Sequence, residues 1–381
     1  MDRVSGTHPP MEFFIRYRNA LLRGGYTRLL KPFFFRRDPE NVHDSMIRMG
    51  RRLGDSPAGR RIMARLFSYE HPSLEQTIAG IKFKNPIGLS AGFDKNAELT
   101  SILPFLGFGF AEVGSITGEP CEGNPKPRLW RLPESQSLVV YYGLKNDGAV
   151  EISRRLRGRT FGIPIGISIA KTNSPETVDT EAGIQDYLKA YREFLDIGDY
   201  ITVNVSCPNS FGGAPFHEAG KLDRLLSVLG ETPANKPVFI KISPDLSPGE
   251  VDAIINVARR HVIAGFVCSN LTKNRFSEAV KERLVPARGG LSGKADEDVS
   301  NDLIRHVYSR TKGEFVIVGV GGVFTADDAY RKIKLGASLI QLITGMVFQG
   351  PQVISSINYG LVRRLRADGY RSISEAVGKG V

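Results

Sequence analysis

From Asn85 onward the chain carries eight short runs that are mostly apolar and do not alternate: Pro86–Ala91, Phe110–Ile116, Ile163–Ala170, Tyr200–Ser206, Pro237–Ser243, Gly265–Ser269, Phe315–Val320 and Leu339–Thr344. Near-continuous apolarity, rather than alternation, is what strands buried on both faces require, and parallel strands covered by helices are buried that way. Helical patterns lie between the runs, at Gln185–Leu195, Lys221–Leu229, Pro248–Arg260, Val299–Arg310 and Ala326–Leu335. Eight strand–helix units over about 260 residues predict an α/β chain built as a (β/α)8 barrel, with an open doubly wound sheet as the alternative topology. A hydrophobic content of 41% and a charged content of 24% suit a chain with a real core. Three scattered cysteines, Cys121, Cys207 and Cys268, make neither a disulfide framework nor a paired-cysteine metal site, and no metal is expected.

Upstream of the barrel the texture differs. Asp38-Pro39-Glu40 is a helix start, a capping residue followed by proline at the first helical position. The helical pattern from 38 to 70 is broken at Asp55-Ser56-Pro57, and Leu74 to Lys84 reads as a hairpin turning at Ala79-Gly80. The expected division is a basic amphipathic helical arm at 1–73, the barrel at 74–365 and a tail at 366–381. The first 70 residues hold 14 Lys+Arg against 7 Asp+Glu, so +7 of the net +11 lies there. Phe13-Phe14-Ile15, Leu29-Leu30 and Phe33-Phe34-Phe35 are interleaved with Arg16, Arg18, Arg23, Arg28, Lys31, Arg36 and Arg37. That composition fits a helix lying on a membrane surface, and equally a solvated basic arm packed on the barrel. No run is long enough to span a bilayer and no secretory signal is legible. No nucleic-acid-binding motif accompanies the charge, so no nucleic acid partner is expected.

In a barrel of this kind chemistry belongs at the C-terminal strand ends. The first ends in Ser90-Ala91-Gly92-Phe93-Asp94-Lys95-Asn96, small residues that let a flat ligand approach beside a cation. The second ends in Gly114-Ser115, the third in Ser168 and Lys171, and the fourth in Asn204-Val205-Ser206-Cys207-Pro208-Asn209-Ser210. The fifth carries Lys241 and the sixth Ser269-Asn270. Gly289 to Gly293, Gly319 to Gly322 and Thr344-Gly345 are three glycine loops suited to holding a phosphate on backbone N–H groups. Asparagines pair with amides and carboxylates, and a lysine inside an apolar strand needs an anion. Cys207, in a turn fixed by Pro208, is a candidate general base once its thiol is acidified towards neutrality. A phosphate-bearing flat cofactor beside a base and carboxylate-binding amides points to flavin redox chemistry.

These segments, in this order, resemble the dihydroorotate dehydrogenases of the quinone-dependent, membrane-associated class. The likeness runs over about residues 25–360 through "LLKP" at 29–32, "DPENVH" at 38–43, "FKNPIGLSAGFDKN" at 83–96, "GFGFAEVGSIT" at 107–117, "GNPKPRLWRLPE" at 123–134, "NVSCPNS" at 204–210, "GGLSGK" at 289–294, "VGVGGV" at 318–323 and "QLITG" at 341–345. The resemblance implies FMN at the strand ends, held by Ala91, Gly92, Ser115, Asn204, Lys241, Ser269, Gly293, Gly322, Ile343 and Thr344. It implies a substrate site of Lys95, Gly143, Leu144, Asn209 and Asn270, with Cys207 as base. It also makes the arm a lid over a quinone tunnel touched by His43 and Arg131. The implied reaction removes a proton from C5 of dihydroorotate as hydride passes from C6 to flavin N5, giving orotate for pyrimidine biosynthesis. Electrons then leave to ubiquinone or menaquinone. The implied location is peripheral, on the cytoplasmic side of a bacterial cytoplasmic membrane, as monomer or homodimer.

The chain also departs from the pattern of that class. Cys207 stands where serine is usual, as in the soluble classes, and Leu144 also resembles those. Val140 replaces a substrate asparagine, Ser168 a flavin-contacting asparagine, Leu271 a substrate-contacting threonine, and Ile343 a tyrosine. These changes leave a related flavin enzyme acting on another small cyclic amide or enone, or a silent membrane-associated flavin-binding module, as the alternatives.

Overall fold

The computed structural model describes residues 9–381; the first eight residues of the expected arm lie outside the described residues. Eight parallel strands close into a barrel: β1 (Ile87–Leu89), β2 (Phe110–Ile116), β3 (Ile165–Ile169), β4 (Tyr200–Asn204), β5 (Val238–Ile242), β6 (Gly265–Cys268), β7 (Val316–Val320) and β8 (Leu339–Leu342). Each falls inside one of the eight apolar runs. β8 pairs with β1 and β5 with β6, so no edge is left and the open sheet is excluded. Most of the ladders are shorter than the runs, because the last residues of those runs leave the sheet to form the rim.

Register decides what meets at that rim. Asn204 on β4 lies opposite Lys241 on β5, and Lys241 lies opposite Val267 on β6. Inside the barrel the fully buried Glu112 of β2 accepts hydrogen bonds from Thr202 Oγ1 (2.9 Å), Gln341 Nε2 (3.1 Å) and the Tyr200 hydroxyl (3.4 Å). The opposite end is plugged by Phe83, Phe110, Tyr200, Phe239, Val267, Val318 and Leu339. Phe83 comes from the expected hairpin, Gln76–Ile78 with Ile81–Phe83. Its turn residues Ala79 and Gly80 both have positive φ, 48° and 80°, the geometry a two-residue hairpin demands.

The arm consists of helices Pro9–Gly25, Lys31–Phe35, Pro39–Asp55 and Pro57–Phe67, the first two joined by a π-helical turn, Tyr26–Leu30. The Asp38 side chain accepts from the N–H of Asn41 and caps the third helix as expected. Ser56 both closes that helix and caps the next through the N–H of Gly59. The first helix is pinned to the C-terminal helix Val353–Ala367 by Arg18 and Asn19, which donate to Ser355 Oγ at 2.6 and 3.1 Å. Its other face leaves Phe13, Phe14, Tyr17 and Leu21 exposed, followed by Leu29, Leu30 and Phe33. After the last long helix the chain turns back, burying Ile373 and Ala376 against the barrel.

One element went unread in the sequence. Leu129–Leu132, Ser137–Val140 and Gly290–Gly293 form an antiparallel three-stranded sheet. Two of its strands are joined by a local turn, but the third arrives from about 150 residues later, which no local pattern shows.

Gly88 on β1 has no room for a side chain: a Cβ there would lie 2.4 Å from the Phe110 ring. That ring is locked in the plug, so Gly88→Val is expected to cost about 1–3 kcal/mol by overpacking. A thermal melt should show a transition several degrees lower, and an unchanged melt would mean that the plug yields.

Candidate active site

A continuous cavity of about 710 Å3 runs from the barrel rim to the underside of the arm. Every expected site residue lines it: Ala91, Gly92, Ser115, Asn204, Lys241, Ser269, Gly293, Gly322, Ile343, Thr344, Lys95, Gly143, Leu144, Asn209, Asn270, Cys207, His43 and Arg131. Val140 and Leu271 line it too. Ser168 does not. It is fully buried behind the wall, with its hydroxyl 2.8 Å from that of Ser115.

The polar part of the wall is pre-arranged. Asn204 Nδ2 donates to Ser115 Oγ (2.8 Å), and Asn204 Oδ1 accepts from Ser206 N–H (3.2 Å) and Ser206 Oγ (3.0 Å). Asn270 Nδ2 donates to Ser206 Oγ (2.9 Å), tying the β4 and β6 ends together. Asn209 Nδ2 donates to the Val140 carbonyl (2.9 Å). Behind it stand two residues the sequence reading gave no role. Asn124 Nδ2 donates to the Asn209 carbonyl (2.9 Å), and Asn173 Nδ2 donates to Asn124 Oδ1 and the Gly143 carbonyl, both at 3.1 Å. Asn124 lies within the "GNPKP" motif, and its fixed place there was the signal available for it.

The cavity suits a flat anionic cofactor. Lys241 is buried and its Nζ carries no hydrogen bond among the described residues, although Glu112 and Asp296 lie near enough to favour its charge. Burial pushes its pKa down, which an acceptor in the cavity would reverse. The N–H groups of Gly322 and Val323 have no partner among the described residues, and Ser292 and Thr344 bring their hydroxyls within 2.8 Å alongside. Gly321 and Gly322 have φ of 111° and 69°; a Cβ on Gly322 would meet Glu297 at 2.3 Å. These loops hold bare backbone against the cavity, as a phosphate cradle requires.

Lys95 spans the barrel and the arm. Its Nζ lies 4.0 Å from the centre of the Tyr142 ring and 3.5 Å from His43 Nε2, which itself lies 2.8 Å from the Phe93 carbonyl. Burial pushes the Lys95 pKa down to about 8, with Asp44 pulling the other way. His43 has its pKa lowered by burial and by the Lys95 charge, with Asp44 and the Phe93 carbonyl pulling the other way. Arg131 donates to the Arg37 carbonyl (2.8 Å) and packs over Phe35.

Cys207 differs from expectation. Burial pushes its thiol above the ordinary range; the Asn209 backbone, Lys171 and Lys241 pull it back only in part. The cavity does not by itself acidify the thiol towards neutrality.

A family model described as dihydroorotate dehydrogenase matches residues 73–365. The chain belongs to the dihydroorotate dehydrogenase family. It is 40% identical over 357 residues to a dihydroorotate dehydrogenase (quinone) from Gloeobacter violaceus, covering 92% of this chain and 98% of the relative. It is 38% identical over 355 residues to one from Roseiflexus, covering 92% and 97%. Among solved structures it is similar to the Eimeria tenella enzyme, ligand-free (TM-score 0.80, 28% identity, covering 90% of this chain and 99% of that one) and with ferulenol (TM-score 0.79, 28% identity, 90% and 95%).

The arm is seated on the barrel by a buried ion pair that sequence reading also missed. Glu40 accepts from Arg128 Nη2 at 2.7 Å and Nε at 3.1 Å, and both side chains are buried. Burial pushes the Glu40 pKa up, but the Arg128 hydrogen bonds and the charges of Arg128, Lys126 and Lys145 outweigh it and hold the carboxyl below its usual range. Glu40→Gln leaves Arg128 without its counter-charge and is expected to cost about 3–5 kcal/mol. A carboxyl with a depressed folded-state pKa stabilises the fold above its unfolded pKa and ceases to as pH falls through the folded value. The melting gap between wild type and variant should therefore be full at neutral pH and shrink in acid; a gap independent of pH would put the stabilisation elsewhere.

Proposed function

We propose that this chain oxidises (S)-dihydroorotate to orotate for pyrimidine biosynthesis, with FMN in the rim cavity and a membrane quinone, ubiquinone or menaquinone, as electron acceptor. The observation that carries the reading is that Cys207, Lys95, three asparagines and the unpartnered Lys241 converge on one cavity that continues beneath the arm. FMN, when bound, supplies the acceptor for the substrate hydride. Lys241, Asn204, Ser115 and the N–H groups after β7 are placed to hold it. Lys95 pairs with the substrate carboxylate, Asn209 and Asn270 with the ring amides, and Cys207 takes the C5 proton. His43 and Arg131 stand along the passage to the quinone. Val140 and Leu271 give the substrate pocket an apolar side, and substrate orientation then depends on the remaining asparagines.

The arm supports a peripheral contact on the cytoplasmic side of a bacterial membrane. Its exposed Phe13, Phe14, Leu29, Leu30 and Phe33 stand among arginines, the make-up of a helix resting on anionic lipid. Among the described residues no helix is long and apolar enough to cross a membrane.

Anaerobic stopped-flow mixing tests the function directly. Dihydroorotate should bleach the bound flavin, and a soluble quinone should restore its colour; no bleaching at millimolar dihydroorotate would overturn the reading. Cys207→Ala should keep its flavin but bleach ~10²–10⁴-fold more slowly, the usual worth of a positioned base. A rate within a few-fold of wild type would move the base elsewhere. Because burial pushes the Lys95 pKa down to about 8, its charge is expected below that pH and lost above it. Orotate affinity, read from the shift it causes in the flavin spectrum, should fall ~10-fold per pH unit above 8. A flat profile would free Lys95 from the carboxylate.

A further inference from the structure

Cys207 borders two cavities. In front is the large one. Behind it lies a void of about 10 Å3, bounded by Leu144, Lys171, Tyr187, Ser210 and Phe216 among others. That is about the space of one water. Lys171 stands just beyond the end of β3 and is 3% exposed. Its Nζ donates to the Phe211 carbonyl (2.9 Å) and reaches Thr177 Oγ1 at 3.5 Å, and no carboxylate lies within ion-pair distance of it among the described residues. Asp186 is the nearest acidic group to influence it, and that carboxylate is already taken up by Thr172 N–H (2.6 Å), Thr172 Oγ1 (2.7 Å) and Gly118 N–H (3.3 Å).

A buried ammonium without an anion is costly, and a buried thiol is a poor base because the thiolate is the active form. Here the two share one small void. We propose that Lys171 is a positioning residue for proton abstraction: its ammonium stabilises the Cys207 thiolate from the side away from the substrate, and its bond to the Phe211 carbonyl holds the 207–211 turn in place. The inference rests on the reading of Cys207 as the base. In the step it serves, the thiolate takes the C5 proton and becomes a thiol, the C6 hydrogen leaves with its electron pair to the flavin, and the thiol returns its proton to solvent before the next turnover. Lys171 ends the cycle with the charge it began with.

The groups facing the pair are few. Lys241 faces Cys207 from the large cavity and also favours the thiolate, and Cys121 is the one further thiol near it. Lys171 is faced by Cys207 and Asp186, and the nearby Tyr187 hydroxyl is used on the Asn204 carbonyl (2.8 Å). Burial pushes the Cys207 thiol up and the Lys171 ammonium down, so each charge depends on the other.

The test is the rate of iodoacetamide labelling at Cys207 against pH in the folded flavoprotein, read on its peptide by mass spectrometry. Cys121 and Cys268 are buried, so Cys207 is the thiol within reach. Lys171→Gln keeps a hydrogen-bond donor and loses the charge; Lys171→Arg keeps the charge. The labelling midpoint should move up by about one pH unit or more in Lys171→Gln, a ~10-fold smaller thiolate fraction at neutral pH. It should stay near wild type in Lys171→Arg, and the pH profile of flavin bleaching by dihydroorotate should move in parallel. Should Lys171→Gln fail to hold flavin, Lys171→Met takes its place. An unmoved midpoint in the neutral variant overturns the proposal, as does an equal shift in both variants, which would make Lys171 a packing residue. Cys207→Ala separates the two readings: near-normal bleaching there overturns the base assignment, while a labelling shift in the Lys171 variants would still stand as a coupling between the two groups.

Discussion

Closure of the eight-strand ladder is the constraint on which everything else rests. Once β5 pairs with β6 and β8 with β1, no strand can slip by a residue without turning its side chains from barrel interior to helix layer. The register that places Asn204 opposite Lys241 is therefore set by the whole barrel rather than by contacts at the site. The buried Glu112, bonded to side chains from β4 and β8, adds directional bonds to a core that is otherwise apolar. It also gives the interior the negative charge beneath Lys241.

The cavity depends in turn on two long-range attachments. Arg18 and Asn19 meet Ser355 from the far end of the chain, and Glu40 meets Arg128 beside the sheet over the rim. Between them the arm is held on both flanks, so the space beneath it keeps a defined width. His43 projects from the arm as far as Lys95, which makes the arm part of the wall beside that lysine as well as a cover for the distant end.

Much of this was legible because it is local. The eight strands announced themselves by mostly apolar runs without alternation, the third arm helix by its start at Asp38-Pro39, and the boundary before the fourth by the break at Asp55-Ser56-Pro57. The site residues followed, because a barrel puts strand ends on one rim. What stayed hidden was made by chain segments far apart in sequence. The strand Gly290–Gly293 pairs with Ser137–Val140 across about 150 residues. Glu40 looked like any first-turn acid until Arg128 was seen beside it. Asn124 and Asn173 belong to separate loops and act through Asn209, Phe211 and Gly143. The environment of Cys207 was misjudged for a related reason: the sequence shows polar neighbours in the turn, whereas the fold desolvates the thiol and leaves it open only towards the cavity.

Gly290 joins two of the cavity residues that depart from the pattern of the quinone-dependent class, Val140 and Leu271. Its backbone pairs with Val140, and a Cβ on it would lie 2.5 Å from Leu271 Cβ. Val140 and Leu271 are about 130 residues apart along the chain, yet one strand residue lies between them. A change at either position presses on the other through that residue, so their effects on the pocket are not independent. In evolutionary terms the two positions are coupled: a change at one is felt at the other through a residue that has no side chain of its own to absorb it.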